Sequence, residues 1–220
     1  MSQIIIDHNN LSYREKRDLS VENKFNGAYY YSLEIVRNII PRITTNRSIV
    51  TVNCGFATDG AIVFIHNNLH PERYDFLEHY NDLILVCGLP ETCEKVKHLG
   101  KTIYLPLSVD VEEVKKYRKE AKNRQAAYVG RFSKLRLGIV PLGTVYLCGI
   151  QREELLKEMA DFREVYAVGR TAIEAKILGC KVLPFDRRFP DPNIWEVLDN
   201  KEAAKILQQK LNDLEKGGKS

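Results

Sequence analysis

No apolar run in this chain approaches the ~20 residues that a membrane-spanning helix needs. The N-terminus, Met1-Ser-Gln-Ile-Ile-Ile-Asp7, has neither a basic leader nor a long apolar segment. The expectation is a chain that stays in the cytoplasm with no membrane span. Cysteine is scarce. The five, Cys54, Cys87, Cys93, Cys148 and Cys180, are odd in number and include no Cys-x-x-Cys pair. That pattern suggests buried free thiols, consistent with a reducing compartment. Neither sign of charge dominates: 33 Lys and Arg stand against 29 Asp and Glu, a net +4. This balance does not demand nucleic acid, and a phosphorylated small molecule fits it equally well. Three signatures are missing: the glycine-lysine phosphate loop, the Gly-x-Gly-x-x-Gly dinucleotide turn and the Gly-x-Ser-x-Gly nucleophile elbow. His66 and His70 are four apart, but Pro71 follows at once and no acid lies between them, so no metal site is expected.

What is present is alternation. Short apolar runs at Ile4–Ile6, 48–53, 61–66, 82–87, 101–107, 127–130, 145–148, 165–168 and 181–185 read as strands. Helical segments fall between several of them: 29–40, ending at Pro41; 71–80, with proline first; 90–99, closed by Gly100; and 152–162. A last helix or helix pair spans about 193–215. Such alternation argues for parallel sheets covered on both faces. The one dense basic stretch, Val114-Lys-Lys-Tyr-Arg-Lys-Glu-Ala-Lys-Asn-Arg124, reads as the solvated face of a long helix over 111–124 or as a phosphate or nucleic-acid surface.

The segment with most chemical content is Val165-Tyr-Ala-Val-Gly-Arg-Thr-Ala-Ile-Glu-Ala-Lys-Ile-Leu-Gly-Cys-Lys-Val-Leu-Pro-Phe185. It reads as strand, glycine turn, helix, glycine stop, strand. A helix that opens just after a strand offers N–H groups outside its own ladder and the positive end of its dipole, which suits an anion. Arg170 adds a fixed charge there. Thr171 and Glu174 have the spacing of a capping box, so Glu174 is either a cap or a ligand-facing carboxylate.

Glu174-Ala-Lys-Ile-Leu-Gly179-Cys-Lys-Val182 resembles the nucleotide-sugar half of the GT-B glycosyltransferases, family 4-like, in a trimmed form. The resemblance continues in Ile103-Tyr-Leu-Pro-Leu-Ser-Val-Asp110, the stretch that crosses between the two halves. It is carried further by Tyr128-Val-Gly-Arg131 with Lys134 and Arg136, by Ala61-Ile-Val-Phe-Ile-His66, and by Asn26-Gly27-Ala28. It implies two small Rossmann-like lobes with parallel sheets and a cleft between them. Residues 1–110 would form the acceptor-side lobe, helix 111–124 would join the lobes, and 125–220 would form the nucleotide-sugar-side lobe with the final helix packing at the junction. It further implies that Arg131, with Lys134 or Arg136, holds the donor diphosphate, that backbone groups at Gly169 and Arg170 hold a phosphate, and that Glu174 meets the ribose. Gly27 would belong to the acceptor-side loop. His66 would act catalytically there, orienting a hydroxyl or moving a proton. The cations would do the work of a metal, so neither a metal nor a further cofactor is implied.

Two departures stand out. Tyr166 occupies the position, eight residues before Glu174, where many members carry a second glutamate. Only eight residues separate Arg136 from Val145, too few for the strand–helix unit usual there. The expected function is sugar transfer from a nucleotide-sugar to an unnamed acceptor. The alternative is a non-catalytic protein that binds a nucleotide-like ligand or a protein partner.

Overall fold

The computed structural model describes residues 4–5, 31, 34–51, 57–65, 71–130 and 139–217. The chain is α/β, with two parallel sheets. The first contains β1 (Ile4–Ile5), β2 (Ile49–Val50), β3 (Ile62–Ile65), β4 (Ile84–Cys87) and β5 (Lys101–Tyr104), in chain order. The second contains β6 (Arg124–Val129), β7 (Val145–Leu147), β8 (Phe162–Tyr166) and β9 (Lys181–Leu183), in the order β7-β6-β8-β9. Every strand pair is parallel.

The central strands of the first sheet, β3 and β4, are buried at every residue, as their unbroken apolar sequences require. Val63, Ile65, Leu85 and Cys87 form one core with Tyr74 and Leu77 of the 3₁₀ helix Pro71–His79 and with Cys93 and Val96 of α1 (Pro90–Val96). Right-handed crossovers between strands taken in chain order put both connections on that same face. Among the described residues no helix is long and apolar enough to cross a membrane.

The chain divides into two compact units at Pro106/Leu107 and again at Asp199/Asn200. The final helix, α5 (Asn200–Gly217), therefore groups with the first sheet and not with the second lobe as the sequence suggested. The reason lies in its stripe. Ala203, Ala204, Leu207 and Leu211 are buried, and α5 packs on the π-helix Ile35–Ile39, whose Ile35 and Ile39 are also buried. Polar contacts agree: Asn200 donates to Glu34 (2.7 Å), Gln208 exchanges bonds with Thr44, and Lys210 donates to the Tyr104 carbonyl (2.8 Å).

The expected helix 111–124 is only one turn long. It is α2 (Val111–Lys115), capped by the Asp110 carboxylate on the Glu113 N–H (2.9 Å), and it lies inside the second unit. Beyond Tyr117 the segment has no apolar stripe to bury, and propensity alone does not hold a short helix in water. Five of the six cations in 111–124, Lys115, Lys116, Lys119, Lys122 and Arg124, are held by carboxylates or carbonyls. Lys115 and Lys116 pair with Glu112 and Glu113, Lys119 with Asp161, and Arg124 with Glu158, its guanidinium lying over Phe162.

Lys122 does the most. Its ammonium donates to the carbonyls of Ala160 (2.7 Å) and Leu178 (2.6 Å), the residues that end α3 (Arg152–Met159) and α4 (Arg170–Ile177). A cation at two helix C-termini satisfies terminal carbonyls and opposes both dipoles favourably. Lys122→Met is expected to lose about 3 kcal/mol in chemical denaturation, since two charge-assisted bonds are lost and two carbonyls are left unpaired. A change below about 0.5 kcal/mol, the level of an ordinary surface substitution, would show the cap to be dispensable.

Candidate anion site at the carboxyl edge of the second sheet

The order β7-β6-β8-β9 reverses direction once. From β6 the chain goes to β7 on one side, then returns past β6 to β8 and continues to β9. Open parallel sheets bind ligands outside the carboxyl ends of the strands flanking such a reversal, here β6 and β8. The described strands of the first sheet run in chain order without a reversal, so the same rule selects no position there.

The strands that open both sequence motifs of the second half, β6 and β8, flank this reversal. Tyr128 of β6 lies beside Tyr166 of β8 in register, so Gly130 and Val168 lie two residues beyond the same level. Gly130 is required by close approach. A Cβ there would stand 2.9 Å from the Tyr128 hydroxyl. Gly169 has φ +63° and ψ −139°, a backbone region that residues with a side chain enter only under strain. It lets the chain leave β8 and enter α4 at once. The helical ladder begins with the Ala172 and Ile173 N–H groups on the Gly169 carbonyl, which leaves the positive end of α4 at this edge.

Glu174 is not a cap. The residue that caps α4 is Gly169, with no side-chain bond, and Thr171 is already inside the helix. The Glu174 carboxylate, only 3 % exposed, faces two guanidiniums instead. Its Oε1 is 3.0 Å from Nη2 of Arg152 and 3.4 Å from Nε of Arg170. Both arginines are the first residues of their helices, α3 and α4. A cation at a helix N-terminus is disfavoured by the dipole, so neither arginine is placed there for the helix's sake. Oε1 makes no hydrogen bond of proper geometry. Both contacts lie within ion-pair distance.

Arg152 carries no familiar motif. The available signal was its setting: a strand, then Gly149 with φ +68°, then a helix opening on arginine, a second copy of the pattern at Gly169-Arg170.

The face of β6 and β8 bearing Tyr128 and Tyr166 packs against Phe185, with half-buried Phe189, Val140 and Val168 around it. Tyr128 meets Phe185 edge-on at 5.1 Å. Burial pushes the Tyr128 hydroxyl up to about 12 and raises that of Tyr166 as well. Tyr166 is thus a core residue.

Gly27, His66, Arg131, Lys134 and Arg136 lie outside the described residues; Ile65, which precedes His66, ends β3, and Gly130, which precedes Arg131, directly follows β6. Of the expected site residues, Gly169, Arg170 and Glu174 come together, and Arg152 joins them. Among the described residues no three His, Cys, Asp or Glu side chains group as metal ligands. Cys87, Cys93 and Cys180 are buried free thiols and Cys148 is half-buried. No family model, curated protein or solved structure matches the chain.

Proposed function

We propose that this chain is a GT-B-like glycosyltransferase that holds the diphosphate of a nucleotide-sugar at the carboxyl edge of β6 and β8 and transfers the sugar to an acceptor. One observation carries the reading. The two glycine–arginine motifs, Gly130-Arg131 in sequence and Gly169-Arg170 in structure, follow neighbouring strands at the one reversal of strand order among the described strands. Fixed cations and a helix N-terminus in such a place neutralise a diphosphate and the charge that grows on it as a leaving group. Arg131, with Lys134 or Arg136, and Arg170 are the binding cations in this reading. His66 serves the acceptor.

A second reading has its own observation. Tyr166 stands in an apolar aromatic cluster at the position of the family's second carboxylate. This favours a protein that binds the nucleotide portion without transferring sugar.

Thermal unfolding with a panel of nucleotide-sugars and nucleoside diphosphates, followed by assay of donor hydrolysis, tests both. Ligand at a hundred times its dissociation constant stabilises by about 2.7 kcal/mol. Binding with release of nucleoside diphosphate supports transfer. Binding without release supports the second reading. No stabilisation by any member of the panel refutes both.

A further inference from the structure

We infer that Arg187 is a further phosphate-binding cation of this edge, presented to the ligand by a turn that Asp186 and Arg188 lock. The inference rests on the nucleotide-sugar reading of the same site and adds a residue to it. Phe185-Asp-Arg-Arg-Phe-Pro190 carries no familiar motif; topology brings it in. β9 is separated from β6 by β8, a distance of about 9–10 Å between strand axes. The chain leaving β9 doubles back across that distance. The Phe185 carbonyl accepts from the Ile139 N–H (2.8 Å), and the Phe185 ring lies 5.1 Å from that of Tyr128. Asp186 is close enough for its charge to act on the Tyr128 hydroxyl, the group that a Cβ at Gly130 would strike. Arg187 therefore follows a residue placed at the carboxyl end of β6, where the strand order reverses.

The turn is held from several sides. The Phe189 N–H closes it on the Asp186 carbonyl (3.2 Å), and the Arg188 N–H donates to the Asp186 carboxylate (2.9 Å). The Arg188 guanidinium is tied to that same carboxylate, with Nε 3.0 Å from both oxygens. Phe185 and Phe189 anchor the two ends of the turn in the aromatic cluster. Asp186 and Arg188 neutralise each other, so Arg187 is the net charge of the turn. It is exposed, and among the described residues it has neither an ion pair nor a hydrogen bond. Its fork of N–H donors can meet phosphate oxygens in pairs, and the backbone that carries it is already ordered, so little entropy is lost on binding. The positive end of α4 lies at the same edge and favours the same sign of ligand.

Inorganic pyrophosphate is titrated into the full chain and into Arg187→Gln, Arg187→Lys and Lys181→Gln, with a thermal melt of each variant. Lys181 opens β9 at the opposite, amino edge of the sheet and is 70 % exposed, so it controls for charge alone. Arg187→Gln should weaken pyrophosphate roughly tenfold or more, through loss of charge-assisted bonds, and leave the melt unchanged. Arg187→Lys should fall between Arg187→Gln and wild type, because it keeps the charge and loses the fork. Lys181→Gln should stay within about twofold of wild type, since solvent and salt screen a charge on the far edge. Equal affinity in Arg187→Gln and wild type overturns the inference. An equal loss in Lys181→Gln overturns it too, because net charge alone would then explain the binding. The nucleotide-sugar panel separates this result from that of the proposed function. Nucleotide-sugars that bind without dependence on Arg187 sink the inference and leave the function standing. Pyrophosphate binding that depends on Arg187, with no nucleotide-sugar bound, does the reverse. No binding of either ligand class refutes both.

Discussion

Replacing Glu174 with glutamine should destabilise the second unit by about 3 kcal/mol, the lower end of the cost of breaking a buried ion pair. The ligand-facing reading of the sequence alone suggests the opposite, a nearly silent change in stability. The structure puts it at 3.0 and 3.4 Å from two guanidiniums. Removing its charge leaves two cations close together at two helix N-termini, and an amide offers only a neutral acceptor. The guanidiniums retain some contact with water, which keeps the loss from being larger. A melting temperature lower by on the order of 10 °C is the expected reading for a unit of this size. A melt indistinguishable from wild type would mean that the triad carries no stability.

Removal of α5 should have a larger effect on the other unit. Deleting Asn200–Gly217 exposes the core residues that Ala203, Ala204, Leu207 and Leu211 cover and removes the bonds to Glu34, Thr44 and Tyr104. Each buried leucine contributes about 1.5–3 kcal/mol. With the alanines and the polar contacts the loss is on the order of 5 kcal/mol or more, comparable to the whole stability of a small unit. Limited proteolysis should then cut between β2 and β5, while sites between β6 and β9 keep their protection. A truncated chain that is soluble and resists protease as the full chain does would contradict the assignment of α5 to the first sheet.

The strands were legible because they are short apolar runs bounded by glycine, proline and charge. Ile62–Ile65 and Ile84–Cys87 fall within the runs that predicted them. The helix 111–124 was misread because helical composition without a buried stripe says nothing about length, and Lys122 serves the ends of two distant helices that no local pattern could reveal. The home of α5 was hidden for a similar reason. Its stripe was plain, but a stripe does not name the surface it covers. At the candidate site the glycine turn at Gly169 was legible from sequence, since a strand meeting a helix without a linker needs such a turn. The partner of Glu174 was not, because Arg152 is 22 positions away in sequence and is brought near by the crossover from β7 to β8.

The central claim is the location of the ligand. Backbone amide shifts of isotopically labelled protein, recorded while a nucleoside diphosphate is titrated in, test it most directly. The expected result is a connected set of shifted signals at Gly130, Arg152 and Val168–Ala172, all at the carboxyl edge of the second sheet. Shifts confined to β1–β5, or none at ligand concentrations that saturate ordinary nucleotide sites, would contradict it.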